Sequence, residues 1–483
     1  MSEELTRLSA RAAVRLLEAG EVTPLDLIDA ALDRIAAVEP DVNALPTLSA
    51  ERARDRAKRL MANPGMRPGD GRGWLAGLPV AIKDLMDVEG VRSTQGSPIF
   101  ADHVPDRSHP LVERIEAHGG IVLAKSNTPE FGAGGNTFNE VFGTTLNPWN
   151  TELTCGGSSG GSAVALATGE IWLAHGSDHG GSLRKPAAFC SVVGLRPSPG
   201  RVTRGAVSNM FNPSSVQGPM ARDVPDLALF LDTMAGRDPL DPMTQPAPER
   251  SYLDTVEAAL AGGPEGRPLR VAWAPDLNGG IPVSREIRDV CADAARRFED
   301  LGATVEEACP DLGRIGEAFE ILRALIFVVD RSPMLETHRE MLKPDIIWNT
   351  EKGLALTASE IAWAERERAA FVRRIVAFFE EYDLLLCPTT ITPPFDASLR
   401  YVEEVDGKRF DNYMAAALIT SAVTLSSCPA LSVPAGFTTD GLPVGLQVTG
   451  KPRDEAGLLA SAARFEQASG LAKLLPIDPK GAR

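Results

Sequence analysis

The chain has 483 residues, with 43% hydrophobic and 24% charged content, which suits a globular protein able to bury a large core without staples. A formal net charge of −16, with no basic run, argues against direct contact with nucleic acid or an anionic membrane, because phosphate contacts need clustered Lys and Arg. The start of the chain, Met1–Leu5, lacks an apolar signal core, and no stretch reaches 18 apolar residues, so neither a secretory leader nor a membrane-spanning helix is expected.

Residues 3–62 carry apolar positions near the helical period, such as Leu25, Ile28, Leu32 and Ile35, and predict a helical N-terminal layer. A Gly- and Pro-rich connector follows over 63–74. Short apolar runs then alternate with helical patterns. Leu78–Ile82, Ile121–Ala124, Ile171–Ala174 and Val192–Leu195 read as buried strands, and Leu111–His118 and Gly161–Thr168 as helices. The same alternation continues. Strands are predicted over Leu269–Trp273 and Ala303–Glu306, with a helix over Ser284–Leu301 between them. The apolar run Ile315–Val329 comes next, then a helix over Ala358–Tyr382 leading into Leu384–Leu386. Strands over Ala430–Val433 and Val444–Val448 and a helix over Glu455–Gln467 close the chain. This pattern predicts one α/β domain over 1–483, built on a large mixed, mostly parallel β-sheet core flanked by helices on both faces. The stretch 235–350 is expected to form a small cap-like insertion.

The six cysteines, Cys155, Cys190, Cys291, Cys309, Cys387 and Cys428, lie far apart with no CxxC pair. Unpaired thiols in a reducing cytoplasm are expected, with no disulfide and no metal site.

Three segments carry chemistry. Gly77–Asp84 is an apolar stretch that delivers Lys83 at a strand end. Gly156–Ser162 places Ser158 and Ser159 between glycine pairs just before an alanine-rich helix. Gly176–Arg184 places Ser182 after Gly180 and Gly181. A serine hydroxyl is a weak nucleophile and needs a base within reach. A lysine can serve only when neutral, and burial in apolar surroundings favours that form. An ordinary strand-end lysine would instead pair with its neighbour Asp84. The first glycine loop is no Walker loop, because Ser162 stands where the lysine would be. It formally fits a nucleophile elbow, but the one histidine after His179 is His338, in a helical stretch, so a Ser-His-Asp triad is not expected. The second loop offers backbone N–H groups beside a hydroxyl, which suits the oxyanion of an acyl transfer.

Taken together these segments resemble the amidase signature family of serine hydrolases. The resemblance extends over nearly the whole chain, through Lys125–Asn127, Asn147–Trp149, Cys387–Thr390, Pro429–Pro434 and Gly441–Gln447. It implies that Ser182 is the nucleophile, Ser158 a bridging serine on a cis peptide, and Lys83 the base. The intervals between them, 75 residues (158 − 83) and 24 residues (182 − 158), are those of the family. It also implies oxyanion donors from the backbone of His179, Gly180, Gly181 and Ser182, an organising role for Asp178 and Arg184, and Gly132 and Gly134 at the substrate entrance. His179 and Cys155 depart from the usual pattern, as does Ser191, which replaces a glycine. The His179 ring is expected to pack beside the loop.

The function so implied is a cofactor-free cytoplasmic amidase, monomeric or homodimeric, cleaving the C–N bond of a neutral aryl or alkyl amide through a Ser182 acyl-enzyme. Esters and carbamates are within the same chemistry. The run Phe319–Val329 and Trp348 read first as core packing, with the wall of an aryl or alkyl pocket as their other use. The other reading is the catalytic A-type subunit of a glutamine-dependent aminoacyl-tRNA amidotransferase. Those subunits hold the substrate ammonium with an aspartate, whereas here the stretch Ala416–Thr420 has no acid.

Overall fold

An eleven-stranded mixed sheet organises the computed structural model, which describes residues 2–63, 65, 67, 71–262 and 267–481. Part of the predicted connector, at 64, 66 and 68–70, lies outside the described residues. Across the sheet the strands run Thr47–Leu48, Ile121–Ser126, Pro79–Lys83, Leu173–Asp178, Val216–Ala221, Val193–Arg196, Ala430–Phe437, Pro443–Gly450, Leu384–Pro388, Arg270–Trp273 and Thr304–Glu307. Pairing is parallel among the Ile121, Pro79 and Leu173 strands at one flank and among the Leu384, Arg270 and Thr304 strands at the other. The ladders through the centre are antiparallel, as is the edge pair Thr47–Leu48 with Lys125 and Ala124.

The predicted strands are found where the apolar runs placed them because several of these strands are buried along their whole length. Pro79–Lys83, Ile121–Ser126, Leu384–Pro388 and Pro443–Gly450 have no exposed residue, as expected for strands covered on both faces. The Pro443–Gly450 strand shows the two layers. A Cβ on Gly445 would meet Ala188 of the Arg184–Cys190 helix, whereas one on Gly450 would meet Leu458 of the Glu455–Ser469 helix. Residues five apart on a strand face opposite sides, so helices cover both faces.

The N-terminal layer comprises the helices Ser2–Arg7, Ala10–Ala19, Pro24–Val42 and Ala50–Ala62, and the second of these docks on Asp226 in the first turn of the Val224–Met234 helix. Its carboxylate accepts from the backbone N–H of Ala10 and Arg11 and from Arg11 Nε. Within 235–350, the strands Arg270–Trp273 and Thr304–Glu307 and the helix Arg285–Asp300 belong to the main sheet layer. Among the described residues of this stretch, the Ile315–Thr337 helix alone lends side chains to the cavity beside Ser182.

Lys83 ends one strand and Asp178 ends its parallel neighbour, with Val80 opposite Leu173 and Ala81 opposite Ala174. The next ladder, Leu173–Asp178 with Val216–Ala221, is antiparallel. The candidate site therefore sits at strand C-termini where the sheet changes direction, a position that leaves a crevice for a ligand.

Candidate active site

Lys83 is fully buried, and its ammonium nitrogen meets three hydroxyls: Ser158 Oγ at 2.7 Å, Ser159 Oγ at 2.9 Å and Ser177 Oγ at 3.1 Å. Asp84, the neighbour that could have paired with it, is turned to the other face of the strand. There it accepts from Lys125 Nζ at 2.7 Å and from the backbone N–H and hydroxyl of Thr94. Lys125 thus takes the local carboxylate and leaves Lys83 among neutral groups. Burial pushes the Lys83 amine down to about 7, against an opposing pull from Asp178. A lysine in this state exchanges a proton near neutrality.

Ser158 follows a cis Gly157–Ser158 peptide and precedes the Gly160–Thr168 helix. That helix starts against the backbone of other segments, and a Cβ on Gly161 would lie 2.4 Å from Asn127 N and 2.5 Å from Ala44 O. Only glycine lets the loop approach this closely. Ser159 N–H donates to the Ser182 carbonyl at 3.1 Å, which ties the two serine loops together. Ser158 and Ser182 line one cavity of about 180 Å³, although no hydrogen bond joins their hydroxyls.

The Ser182 loop is built around Asp178. This buried carboxylate accepts from Arg184 Nε and Nη2 at 3.1 and 2.9 Å, from Arg196 Nη1 at 3.3 Å, and from the backbone N–H groups of Gly181 and Leu183 at 3.0 and 3.1 Å. Burial opposes its charge, but Arg184 and Arg196 outweigh that and hold it below the usual carboxylate range. Gly181 has φ +109°, and a Cβ there would come within 2.6 Å of Thr420 Oγ1. Of the expected oxyanion donors, Gly181 N–H is engaged by Asp178 within the loop. The N–H groups of His179, Gly180 and Ser182 remain as candidates. On the opposite side, Thr420 and Thr424 hydroxyls donate to the carbonyls of Gly180 and His179 and fix the peptide planes.

The His179 ring packs as expected, tilted against Phe319 with centroids 5.2 Å apart, and its Nδ1 lies 3.1 Å from Ser215 Oγ. Burial, with Arg323 and Arg196 nearby, pushes its pKa well below the ordinary histidine value, so the ring is neutral. Gly132 borders the cavity, where a Cβ would stand 3.3 Å from Ser158 Oγ, and Gly134 lines its continuation. Phe327 and Ile326 contribute apolar wall. Trp348 does not; it is 37% exposed and packs edge-on to Tyr413 outside the cavity. All six cysteines are unpaired.

Sequence reasoning missed Ser159 and Ser177 as partners of Lys83, Arg196 as the second guanidinium on Asp178, and Lys185, Arg323 and Tyr413 as cavity-lining groups. Ser159 and Ser177 stood inside the quoted glycine loops. Arg323 and Tyr413 lie in a helix and a loop whose spacing carries no signal, and the fold alone brings them to the site.

The Amidase family model matches residues 26–459. An acylamidase of Rhodococcus erythropolis is 34% identical over 99% of this chain and 98% of its own length. A glutamyl-tRNA(Gln) amidotransferase subunit of Geobacillus kaustophilus (strain HTA426) is 36% identical over 96% and 97% of the two chains. Among solved structures, a bacterial aryl acylamidase of the amidase signature enzymes superposes with a TM-score of 0.87 at 28% identity, covering 97% of this chain and 99% of that one. A 6-aminohexanoate cyclic dimer hydrolase superposes with a TM-score of 0.84 at 26% identity, covering 98% and 99%.

Proposed function

Since the chain belongs to the Amidase family of hydrolases that act on carbon–nitrogen bonds other than peptide bonds, we propose that it cleaves a small aryl or alkyl amide through an acyl-enzyme on Ser182. The observation that carries this reading is Lys83, buried, paired with no carboxylate among the described residues and hydrogen-bonded to Ser158. Ser182 Oγ attacks the amide carbonyl carbon and passes its proton through Ser158 to neutral Lys83. The hydroxyl contact between Ser158 and Ser182 closes when substrate orients Ser182, since such bonds tighten in the reacting complex. The developing oxyanion accepts from the N–H groups of His179, Gly180 and Ser182. The proton returns along the same path to the leaving nitrogen as the C–N bond breaks. Water then adds to the acyl carbon, giving its proton to the relay, and releases the acid and Ser182. Esters and carbamates enter by the same route, because only the leaving group differs. Six unpaired thiols suit a reducing compartment and support a cytoplasmic site of action. Among the described residues no helix is long and apolar enough to cross a membrane.

The amidotransferase reading is less favoured. Ala417 faces the cavity beside Ser182, and no residue from 416 to 420 offers a carboxylate for a substrate ammonium. The test is a panel of acyl anilides, primary amides, esters, carbamates and glutamine, with mass spectrometry of the quenched enzyme. An acyl adduct on the peptide containing Ser182 supports the reading; steady turnover with no adduct on Ser182 under any quench, and unchanged in Ser182→Ala, removes it.

A further inference from the structure

Beside Ser182 and Gly180 the cavity continues between Lys185, Arg323 and Tyr413. Neither cation is paired with a carboxylate. No salt bridge involves Lys185 or Arg323 among the described residues, and the acid that acts on Lys185 from a distance, Asp178, is held by Arg184 and Arg196. Arg323 is 8% exposed; its Nη2 donates to Tyr413 OH at 2.8 Å, its Nε has no partner, and its guanidinium rests over the Phe327 ring at 4.6 Å. Tyr413 OH also accepts from Asn349 Nδ2 at 2.7 Å. With both of its acceptor positions used, the phenol hydrogen is left to donate. This recess therefore presents an ammonium, a guanidinium and a hydroxyl hydrogen, with no carboxylate among its own lining residues; Asp178 and Asp330 line the neighbouring Ser158 end, where neither pairs with Lys185 or Arg323.

Arg323 is buried and Lys185 half-buried, and like charges so placed without a counter-charge are costly unless a ligand supplies it. Burial, with Arg184 and Arg323 nearby, pushes the Lys185 amine down to about 8, the mark of a cation short of a partner. A planar guanidinium and an ammonium converging on one space match a carboxylate. The chain as a whole is acidic, so this cationic recess is a local feature and not a consequence of composition. Lys185 and Tyr413 also line an adjoining apolar recess walled by Phe189, Ile391 and Phe395.

We propose that Lys185, Arg323 and Tyr413 bind a carboxylate carried by the substrate, so that the enzyme prefers amides bearing an anionic group a few bonds from the scissile carbonyl together with an apolar aryl or alkyl part. This rests on the amidase reading and narrows it: the amide itself is neutral, and the distal group is anionic. The three residues determine specificity and take no part in the proton relay.

The experiment compares matched substrates. On the acyl side, the 4-nitroanilide of succinic acid is set against that of 4-methylpentanoic acid, its neutral isostere. On the amine side, the acetyl amide of 3-aminobenzoate is set against acetanilide. In at least one pair the carboxylate member should have the higher kcat/KM, by tenfold or more, mainly through KM. Lys185→Met and Arg323→Met should each remove that advantage while changing the neutral member less than threefold, and Lys185→Arg should retain most of it. Succinate binding to Ser182→Ala protein, followed by calorimetry, should be lost on adding either Met substitution; this readout needs no turnover. Equal kcat/KM within both pairs, or equal losses on charged and neutral members in the variants, would overturn the proposal. Failure of the amidase reading shows differently, as no turnover of any of the four amides.

Discussion

Lys83 Nζ and Ser158 Oγ stand 2.7 Å apart in a site from which the nearest sequence carboxylate, Asp84, has been drawn off by Lys125. Proton transfer near neutrality follows from that division of labour. With its amine at about 7, Lys83 is protonated and inactive below that value and neutral above it. The rate kcat/KM should therefore fall tenfold per unit as pH drops below about 7. Lys83→Ala should lose most of the rate and the acidic limb with it. An acidic limb that survives in Lys83→Ala but vanishes in His179→Gln would assign the base to the histidine, against the depressed histidine pKa.

Ser182→Ala should lower turnover by about ten-thousand-fold or more, as for removal of a nucleophile elsewhere. Ser182 is half-buried and donates no side-chain bond that holds the fold, so unfolding midpoints should stay close to wild type. Release of 4-nitroaniline and a urea titration measure the two quantities. A folded variant within tenfold of wild type would take Ser182 out of the reaction.

Asp178→Asn should destabilise the protein by about 3–5 kcal/mol, because it leaves the Arg184 and Arg196 guanidinium groups buried with their shared anion gone. The folded-state pKa of Asp178 lies below its unfolded value, so its contribution is complete above the unfolded pKa and disappears as pH falls through the folded one. Wild type should thus lose stability on acidification more steeply than Asp178→Asn. Parallel stability–pH curves for the two proteins would contradict this account.

Gly181→Ala should cost activity out of proportion to its size. The position combines φ +109° with a Cβ contact of 2.6 Å to Thr420 Oγ1, and relief would move the loop that carries Ser182. A drop in kcat of about a hundredfold or more is expected, since a shift of about 1 Å in a reacting group has that effect. The double variant Gly181→Ala, Thr420→Ala should recover part of it. No recovery, with the fold intact, would place the fault elsewhere.

Glutamine should be a poor substrate, at least tenfold below an acyl anilide in kcat/KM. Its carboxylate has Lys185 and Arg323 available, but no residue of 416–420 offers an acid for its ammonium, and an ammonium brought in without a partner is costly. Ammonia release from glutamine and aniline release from acetanilide are compared at matched concentrations. A larger value for glutamine would favour the amidotransferase reading.

Most strand positions were legible because strands buried on both faces appear as short continuous apolar runs, as at Pro79–Lys83 and Ile121–Ser126, whereas Val216–Ala221, interrupted by Gln217, Gly218 and Pro219, was missed. The three proposed catalytic groups were legible too, because glycine-dense loops around Ser158 and Ser182 and a strand-end lysine are local patterns. Which ladders run antiparallel was not, since nothing within Val216–Ala221 or Ala430–Phe437 records its neighbours. Nor could the sequence decide between Asp84 and three hydroxyls as the partners of Lys83. Adjacent strand residues point to opposite faces, so Lys83 and Asp84, neighbours in the chain, are separated in space, and Lys125 reaches Asp84 from the next strand. Gly181 looked like any other donor in its loop until the fold turned its N–H onto Asp178. Lys185, Arg323 and Tyr413 are separated by up to 228 residues (413 − 185) and meet only through packing of the Ile315–Thr337 helix and the 411–414 loop over the site. Local chemistry was written in the chain; charge pairing, and with it the lysine's protonation and the cationic recess, was decided by long-range contacts.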